Sequence, residues 1–249
     1  MTVNSLSEMK HIELHASQVS GFLMCETAGL HRFWNKEQRV PHISSWIGRQ
    51  VHRQVLDEGD EPFNDETGYV YDKHTDDFAH AKRQSRRIVK AVQKTLDEHE
   101  IEHVETEKDM GYYREDHWPA NICLAGRADI IGYHQGVRVI IDLKTGDDYV
   151  PAWLQLGAYA LLDGYDDSKV LPAIGLGVIH APRKDNGWNP PMVYWAERPH
   201  EIIDITRKQL ERIIDLIGDP EPTVSPGKHC KWCQHPDCAV RATWYHPYQ

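Results

Sequence analysis

No stretch of this 249-residue chain holds the roughly 20 consecutive apolar residues that a membrane-spanning helix requires. Its start, Met1-Thr2-Val3-Asn4-Ser5, lacks the basic, apolar, small-residue order of a secretion signal, so a cytoplasmic location is expected. Basic residues are the minority, 28 Lys and Arg against 38 Asp and Glu, for a formal net charge of −10. That balance weighs against a protein coated by an anionic polymer, but it is uneven. Asp57 to Asp77 contains nine acids and one lysine, and the remainder has 29 acids against 27 bases, which leaves room for a local basic groove. Phenylalanine is scarce at four, yet eight tryptophans and 40% hydrophobic residues can fill a sizeable core. Five cysteines in a cytosolic chain do not read as a disulfide framework. No internal repeat is present.

The first sixteen residues read as a leader. Ser17 to Trp34 suits a short helix carrying Cys25, with Phe22, Leu23, Leu30, Phe33 and Trp34 as core candidates. Ile43 to Leu56 predicts a second helix containing Gly48 and His52, and the acidic stretch 57–77 an exposed loop. Phe78 to about His99 predicts a long helix with a stripe of Ile88, Val89, Val92 and Leu96. Its other face carries Lys82, Arg83, Arg86, Arg87, Lys90 and Lys94.

Three strand patterns follow, at Ile101–Tyr113, Ile122–Tyr133 and Val137–Leu143, the last almost wholly apolar and therefore central. Ala152–Leu162 is helical, with Pro151 at its first turn, and Ala173–His180 is a further buried strand. Asp185-Asn186-Gly187 supplies a turn into a return strand, Met192–Trp195. Glu201–Ile217 is an amphipathic helix with Ile202, Ile205, Leu210, Ile213, Ile214 and Ile217 apolar, and a proline-rich loop leads on to the last cysteines. These patterns give one α/β domain over 17–240: a helical part at 17–100, a core at 101–218, a cysteine clip at 219–240 and a tail at 241–249.

Within that order, charged residues stand where strand burial makes them expensive. Asp142 and Lys144 are two apart on the apolar strand, so they share a face while Leu143 points into the core. A two-residue turn at Gln135-Gly136 pairs 133 with 138, 131 with 140 and 129 with 142. Asp129 then faces Asp142 with Cα atoms about 4.5–5.5 Å apart. Two ionised carboxylates so close repel, and a divalent cation between them removes the penalty. Such a cation polarises a phosphoryl oxygen and lowers the pKa of a water, with the Leu143 carbonyl as an additional oxygen ligand. Lys144 is placed to position that water or to neutralise developing phosphorane charge.

An Asp-x-Lys alone describes many solvated hairpins; here Ile140-Ile141 bury the strand that carries it. Gln155 and Tyr159 lie one turn apart on the next helix and can hydrogen-bond a phosphate or a strand end, though such a pair is also ordinary helix surface.

Together Gly126-Arg127-Ala128-Asp129, Ile141-Asp142-Leu143-Lys144-Thr145-Gly146 and Gln155-Leu156-Gly157-Ala158-Tyr159 resemble the RecB-like branch of the PD-(D/E)XK nuclease superfamily. The resemblance implies a restriction-endonuclease-like core, a central mixed sheet flanked by helices, with an N-terminal helical insert and a C-terminal cysteine clip. It implies a metal site of Asp129, Asp142 and Leu143, with Lys144, Gln155 and Tyr159 completing the catalytic set. That branch also carries a helical histidine, which Gly48-Arg49-Gln50-Val51-His52 matches. His52 becomes a metal ligand by that comparison, Gly48 would allow close packing beside its imidazole, and a nitrogen donor favours Mn²⁺ somewhat over Mg²⁺. Glu105 and Glu107, on the preceding strand, are placed to assist.

Cys230-Lys231-Trp232-Cys233 and Cys238 supply three thiolates that ask for a fourth ligand. His229 or His235 would complete a zinc site; Cys25 would instead close a four-cysteine set. The layout, one cysteine before the core and three after it, resembles the iron–sulfur members of the branch: AddB-type recombination nucleases, CRISPR adaptation nucleases and related phage exonucleases. In these a [4Fe–4S] cluster staples the two ends together. Cys123, beside Leu124, reads as a small buried apolar residue.

The expected partner is DNA, as single strands or ends. The basic helix face reads equally well as a phosphate track or as a solvated surface. Trp153, Trp188, Trp195 and Trp232 are either base-stacking residues or core. With no helicase motor motif in the chain, a helicase or recombination protein would be a separate partner. Three functions compete: a metal-dependent DNA exonuclease, a DNA-binding module without catalysis, and a zinc-clipped scaffold. The acid–lysine set favours the first.

Overall fold

A central sheet separates two hydrophobic cores, and the candidate residues of the acid–lysine pattern lie where its strands part. The computed structural model describes residues 11–34, 42–56, 77–146, 152–164, 174–183 and 190–218, with Gly59 and Tyr69. Most of the acidic stretch, the Asp185–Gly187 turn, Trp188, Trp232, Cys230, Cys233, Cys238 and the tail lie outside the described residues. The elements run β1 (Ile12–His15), α1 (Ala16–Met24), α2 (Glu26–Trp34), α3 (Ile43–Val55), α4 (Phe78–Glu98), β2 (Ile101–Tyr113) and β3 (Ile122–His134). They continue with β4 (Val137–Thr145), α5 (Trp153–Leu162), β5 (Ile174–Ala181), β6 (Met192–Trp195) and α6 (Pro199–Gly218).

β2, β3 and β4 form the antiparallel meander that the alternation predicts, and β5 joins β4 in parallel through α5. One face packs against α1, α2, α5 and α6 through Phe22, Leu124, Ile140, Leu156, Val178 and Ile213. The other packs against α3 and α4 through Ile47, Val51, Val89, Val92, Ile141 and Ile179. Burial on both sides explains why β4 is so apolar, and each fully buried isoleucine contributes roughly 1.5–3 kcal/mol. This is a mixed sheet flanked by helices, the architecture that the resemblance implies.

The Gln135-Gly136 turn is present, with φ of 52° and 77°, the left-handed pair that a two-residue hairpin demands. It sets the predicted pairs Tyr133 with Arg138 and Ile131 with Ile140.

Three expectations change. Ile12–His15, in the stretch read as a leader, is a strand parallel to the start of β3. The single helix over 17–34 is two, divided at Cys25, whose backbone is extended (φ −166°, ψ 116°). Leu23 and Ile205, core residues by spacing, are exposed at 58% and 53%; Ile203 and Leu216 are buried in α6 instead.

β3 has an unusual edge. β2 occupies one side along its length, from Leu124 to His134. The opposite side is shared: β1 pairs with 122–125 and β4 with 130–134. Residues 126–129, the Gly-Arg-Ala-Asp motif, pair with neither, so the sheet forks there. β1 turns away into α1 at the near side of the gap. Gly126 is required at this crowded point, because a Cβ would stand 2.9 Å from Tyr159 and Leu162 and 3.1 Å from the Ala16 methyl.

α5 can seat between sheet and α6 because Gly157 has no side chain. A methyl there would collide with Oγ1 and Cβ of Thr206, whose hydroxyl donates to the Ile202 carbonyl at 2.7 Å. Gly157→Ala is therefore expected to destabilise by about 1–3 kcal/mol. Urea unfolding checks this, and an unchanged midpoint would contradict the close α5–α6 contact.

Candidate active site

Asp129 stands where the facing of β3 slips. Ala128 belongs to the core on the α5 side, Ile130 to the core on the α3 side, and Ile131 to the α5 side again. Strict alternation would put 128 and 130 together. The Asp129 carboxylate reaches across the fork, where its Oδ2 accepts a 2.7 Å hydrogen bond from the Leu143 N–H. The expected ladder pair of 129 with 142 is thus replaced by a side chain that caps the open end of the ladder; backbone pairing stops at Ile130 with Ile141. In an extended strand a residue's N–H and C=O leave along the same edge, so the Leu143 carbonyl lies on the fork side as well.

Asp142 and Lys144 share the sheet face that meets α5, and Leu143 sits in the opposite core, as the spacing predicts. Lys144 Nζ lies 3.2 Å from Asp142 Oδ1 and 2.9 Å from Oδ2, and donates to Gln155 Oε1 at 3.1 Å. The Gln155 amide donates both to Asp142 Oδ1 at 2.9 Å and to the Tyr159 hydroxyl at 2.7 Å. Reversing the amide would aim its oxygen at a carboxylate and its nitrogen at an ammonium, so the network fixes its orientation. Asp142, Gln155 and Tyr159 are buried, whereas the Lys144 and His52 side chains are about a third and a quarter exposed (33% and 26%). Solvent and any substrate therefore meet the lysine and the imidazole first.

His52 comes from the last turn of α3, with Nδ1 3.6 Å from Asp129 Oδ1. The apolar stripe Ile43, Trp46, Ile47, Val51 and Val55 sets the rotation of that helix. Gly48 does not pack against the imidazole: a Cβ there would meet Thr145 Oγ1 at 2.8 Å, so the glycine admits the end of β4 instead. All seven expected residues, His52, Asp129, Asp142, Leu143, Lys144, Gln155 and Tyr159, converge. Glu105 does not join them; it pairs with Lys108 at 2.9 Å. His180, buried and level with Lys144 in the parallel ladder, has its Nε2 3.2 Å from the Gly146 carbonyl oxygen. Its only sequence signal was a polar residue at the end of an apolar strand. Cys123 is buried, as expected, with Sγ 3.4 Å from His11 Nε2. Trp153 and Trp195 pack against the two cores, and Trp195 stacks on His134 with ring centres 4.9 Å apart.

Burial, then the charge of Asp129, push the Asp142 carboxyl up to about 6, against the opposing pull of Lys144 and His52. Its Oδ2 is buried and accepts no hydrogen bond, although the lysine ammonium pairs with it by charge. No group of three His, Cys, Asp or Glu side chains is gathered at ligating distance among the described residues. The chemistry of this donor set nevertheless fits a hard divalent cation: two carboxylates, a strand carbonyl and an imidazole border one partly desolvated gap.

Because the folded carboxyl binds its proton more tightly than the unfolded one, Asp142 contributes stability below about pH 4 that is lost as pH rises through 6. In EDTA, Asp142→Asn should unfold at a higher temperature than wild type at pH 7.5, by up to about 3 kcal/mol, with the gap narrowing toward pH 5. Thermal scans across that range measure it; a gap independent of pH would rule out the strained carboxylate.

Among solved structures, the chain is similar to a putative exonuclease from Eubacterium rectale: TM-score 0.57, 12% identity, 95% of this chain and 90% of that one. An alkaline exonuclease, LHK-Exo, from Laribacter hongkongensis is a weaker match: TM-score 0.41, 11% identity, 82% of this chain and 87% of that one. No curated protein matches the chain. The likeness to the first of these establishes the fold. The family model of the PD-(D/E)XK nuclease superfamily matches residues 22–238, and the chain belongs to that superfamily.

Proposed function

We propose that the protein is a metal-dependent DNA exonuclease of the RecB-like branch, acting on single strands or ends in recombination, repair or phage DNA metabolism. The observation that carries this is the closed hydrogen-bonded set of Asp142, Lys144 and Gln155 beside Asp129 and His52. Members of the superfamily generally use divalent metals such as Mg²⁺ or Mn²⁺. Asp129, Asp142, the Leu143 carbonyl and His52 would hold the ion here. When bound, it would neutralise the paired carboxylates, polarise the scissile phosphate and promote ionisation of a water.

The remaining residues prepare the site. Gln155 fixes the Lys144 ammonium by accepting from it, so the cation is already oriented toward the phosphate when charge develops. Tyr159 holds Gln155 in turn and acts through it as a positioning residue. The partly exposed ammonium would hydrogen-bond the attacking water or a phosphoryl oxygen. End-labelled single- and double-stranded DNA, incubated with Mn²⁺, Mg²⁺ or EDTA, tests this. Asp142→Asn and Lys144→Ala should each lose at least about 10²-fold in rate. Degradation by Asp142→Asn at the wild-type rate would end the catalytic assignment.

The second part of the proposal is a [4Fe–4S] cluster on Cys25, Cys230, Cys233 and Cys238, clipping residues 219–240 onto the single domain that β1 opens. Cys25 is buried at the break between α1 and α2. The next residue, Glu26, receives a bidentate ion pair from Arg212 of α6 at 2.8 and 3.0 Å. The helix leading to the last three cysteines is thereby tied beside the first, and closing so long a loop by a metal clip stabilises effectively. Anaerobically purified protein should be brown, and Cys25→Ser should lose the colour together with thermal stability. Colourless wild type holding one equivalent of zinc would replace the cluster by a zinc clip.

A further inference from the structure

The long helix α4 carries six bases, Lys82, Arg83, Arg86, Arg87, Lys90 and Lys94, and no acid before Asp97, in a chain where acids outnumber bases by ten. The arrangement is unfavourable to the helix itself. Lys82 with Arg86, Arg83 with Arg87, Arg86 with Lys90 and Lys90 with Lys94 are like charges at i, i+4, each pair mildly destabilising. Its two acids, Asp97 and Glu98, sit in the last turn, where the helix dipole disfavours them. Solubility does not explain the bases either, since an excess of acids already supplies it.

The ridge cannot rotate away from solvent. Ile88, Val89, Val92 and Leu96 hold the opposite face in the α3–α4 core, which leaves Arg83, Arg86, Arg87, Lys90 and Lys94 exposed. Lys94 pairs with Glu98 at 3.3 Å; Arg83, Arg86 and Lys90 have no ion-pair partner among the described residues. From Lys82 to Lys94 the helix rises about 18 Å, the length of roughly five phosphates along one strand of a duplex.

The ridge also joins the candidate active site. Gln84 of α4 donates to the Arg183 carbonyl at 2.7 Å, and the Arg87 guanidinium lies 3.5 Å from the same oxygen. The Arg183 N–H donates to the Gly146 carbonyl at 3.3 Å, and Gly146 is two residues beyond Lys144. One end of the basic ridge is therefore anchored to the loops that leave the catalytic ends of β4 and β5.

We propose that the α4 ridge, led by Arg83, Arg86 and Lys90 and continued by Arg87 at the Arg183 loop, is a track for the nucleic-acid backbone running to the acid–lysine site. It reads phosphates without regard to base sequence and holds the strand while its end is cut. The proposal rests on the nuclease reading of that site, and it names the surface and the chemical feature of the substrate that the site itself does not supply.

The test uses the full chain and the triple variant Arg83→Gln, Arg86→Gln, Lys90→Gln, because glutamine keeps helix propensity while removing charge. Binding of a fluorescein-labelled single-stranded oligonucleotide is followed by anisotropy in EDTA from low to high salt. Affinity at about 0.1 M salt should fall tenfold or more, and the slope of log K against log salt should lessen by about 2. Cleavage of bis(p-nitrophenyl) phosphate with Mn²⁺ should be unchanged, and thermal stability equal or higher because the like-charge pairs are gone.

An unaltered slope and affinity would overturn the proposal, with the acid–lysine reading untouched. So would tighter DNA binding accompanied by lower thermal stability, which would mean that the ridge is paired within the protein and not with nucleic acid. Failure of the wild type to cleave either substrate would count against the nuclease reading alone, since anisotropy still reports on the ridge.

Discussion

Two carboxylates in one poorly solvated corner repel, and much of the architecture between residues 126 and 159 is arranged so that the fold survives them. Asp129 is held by a backbone N–H of the neighbouring strand, and Asp142 by a lysine and an amide. The first arrangement would be impossible in an uninterrupted ladder, where the Leu143 N–H would already be taken by a backbone carbonyl. The fork in the sheet frees that N–H and opens a gap into which both acids project. Gly126 lets α5 close over one side of the gap, and His52 approaches from the helix on the other.

The layers around the fork are what make it rigid. Strand β4 is buried on both faces, so its register with β3 and β5 is strongly specified and the pair Asp142 and Lys144 cannot slip. Arg138 at the start of β4 forms a bidentate pair with Asp163 just after α5, at 2.8 and 2.9 Å, which sets the helix against the strand. Gln155 thus arrives over Asp142 because both ends of the β4–α5 unit are pinned. The buried Asp142 Oδ2 is compensated there by the Lys144 ammonium 2.9 Å away.

Much of this was legible in the residues. The alternation of β2 and β3, the apolar run of β4 and the stripes of α3 and α4 each state their own period. Gln135-Gly136 fixes the hairpin register through local backbone sterics alone. The fork was not legible, because it depends on β1, a four-residue strand whose partner lies more than a hundred positions away. Without it, simple extrapolation of the hairpin places Asp129 opposite Asp142 instead of across from the Leu143 N–H. The partner of Gly48 and the exposure of Leu23 and Ile205 were missed for a related reason: they depend on which element packs nearby, and spacing within one helix does not say.

The short strand β1 has a consequence for how the chain is made. Its four residues are synthesised more than a hundred positions ahead of their partner and have no edge to join until Ile122–Ala125 have followed. Contacts within the β3–β4 hairpin are local in sequence, whereas the parallel pairing of β1 closes a long loop. Because β1 supplies one wall of the fork, the surroundings of the two acids are complete only once that loop has closed. A nascent chain whose β3–β4 hairpin has formed without β1 therefore holds Asp129 and Asp142 in an unfinished pocket.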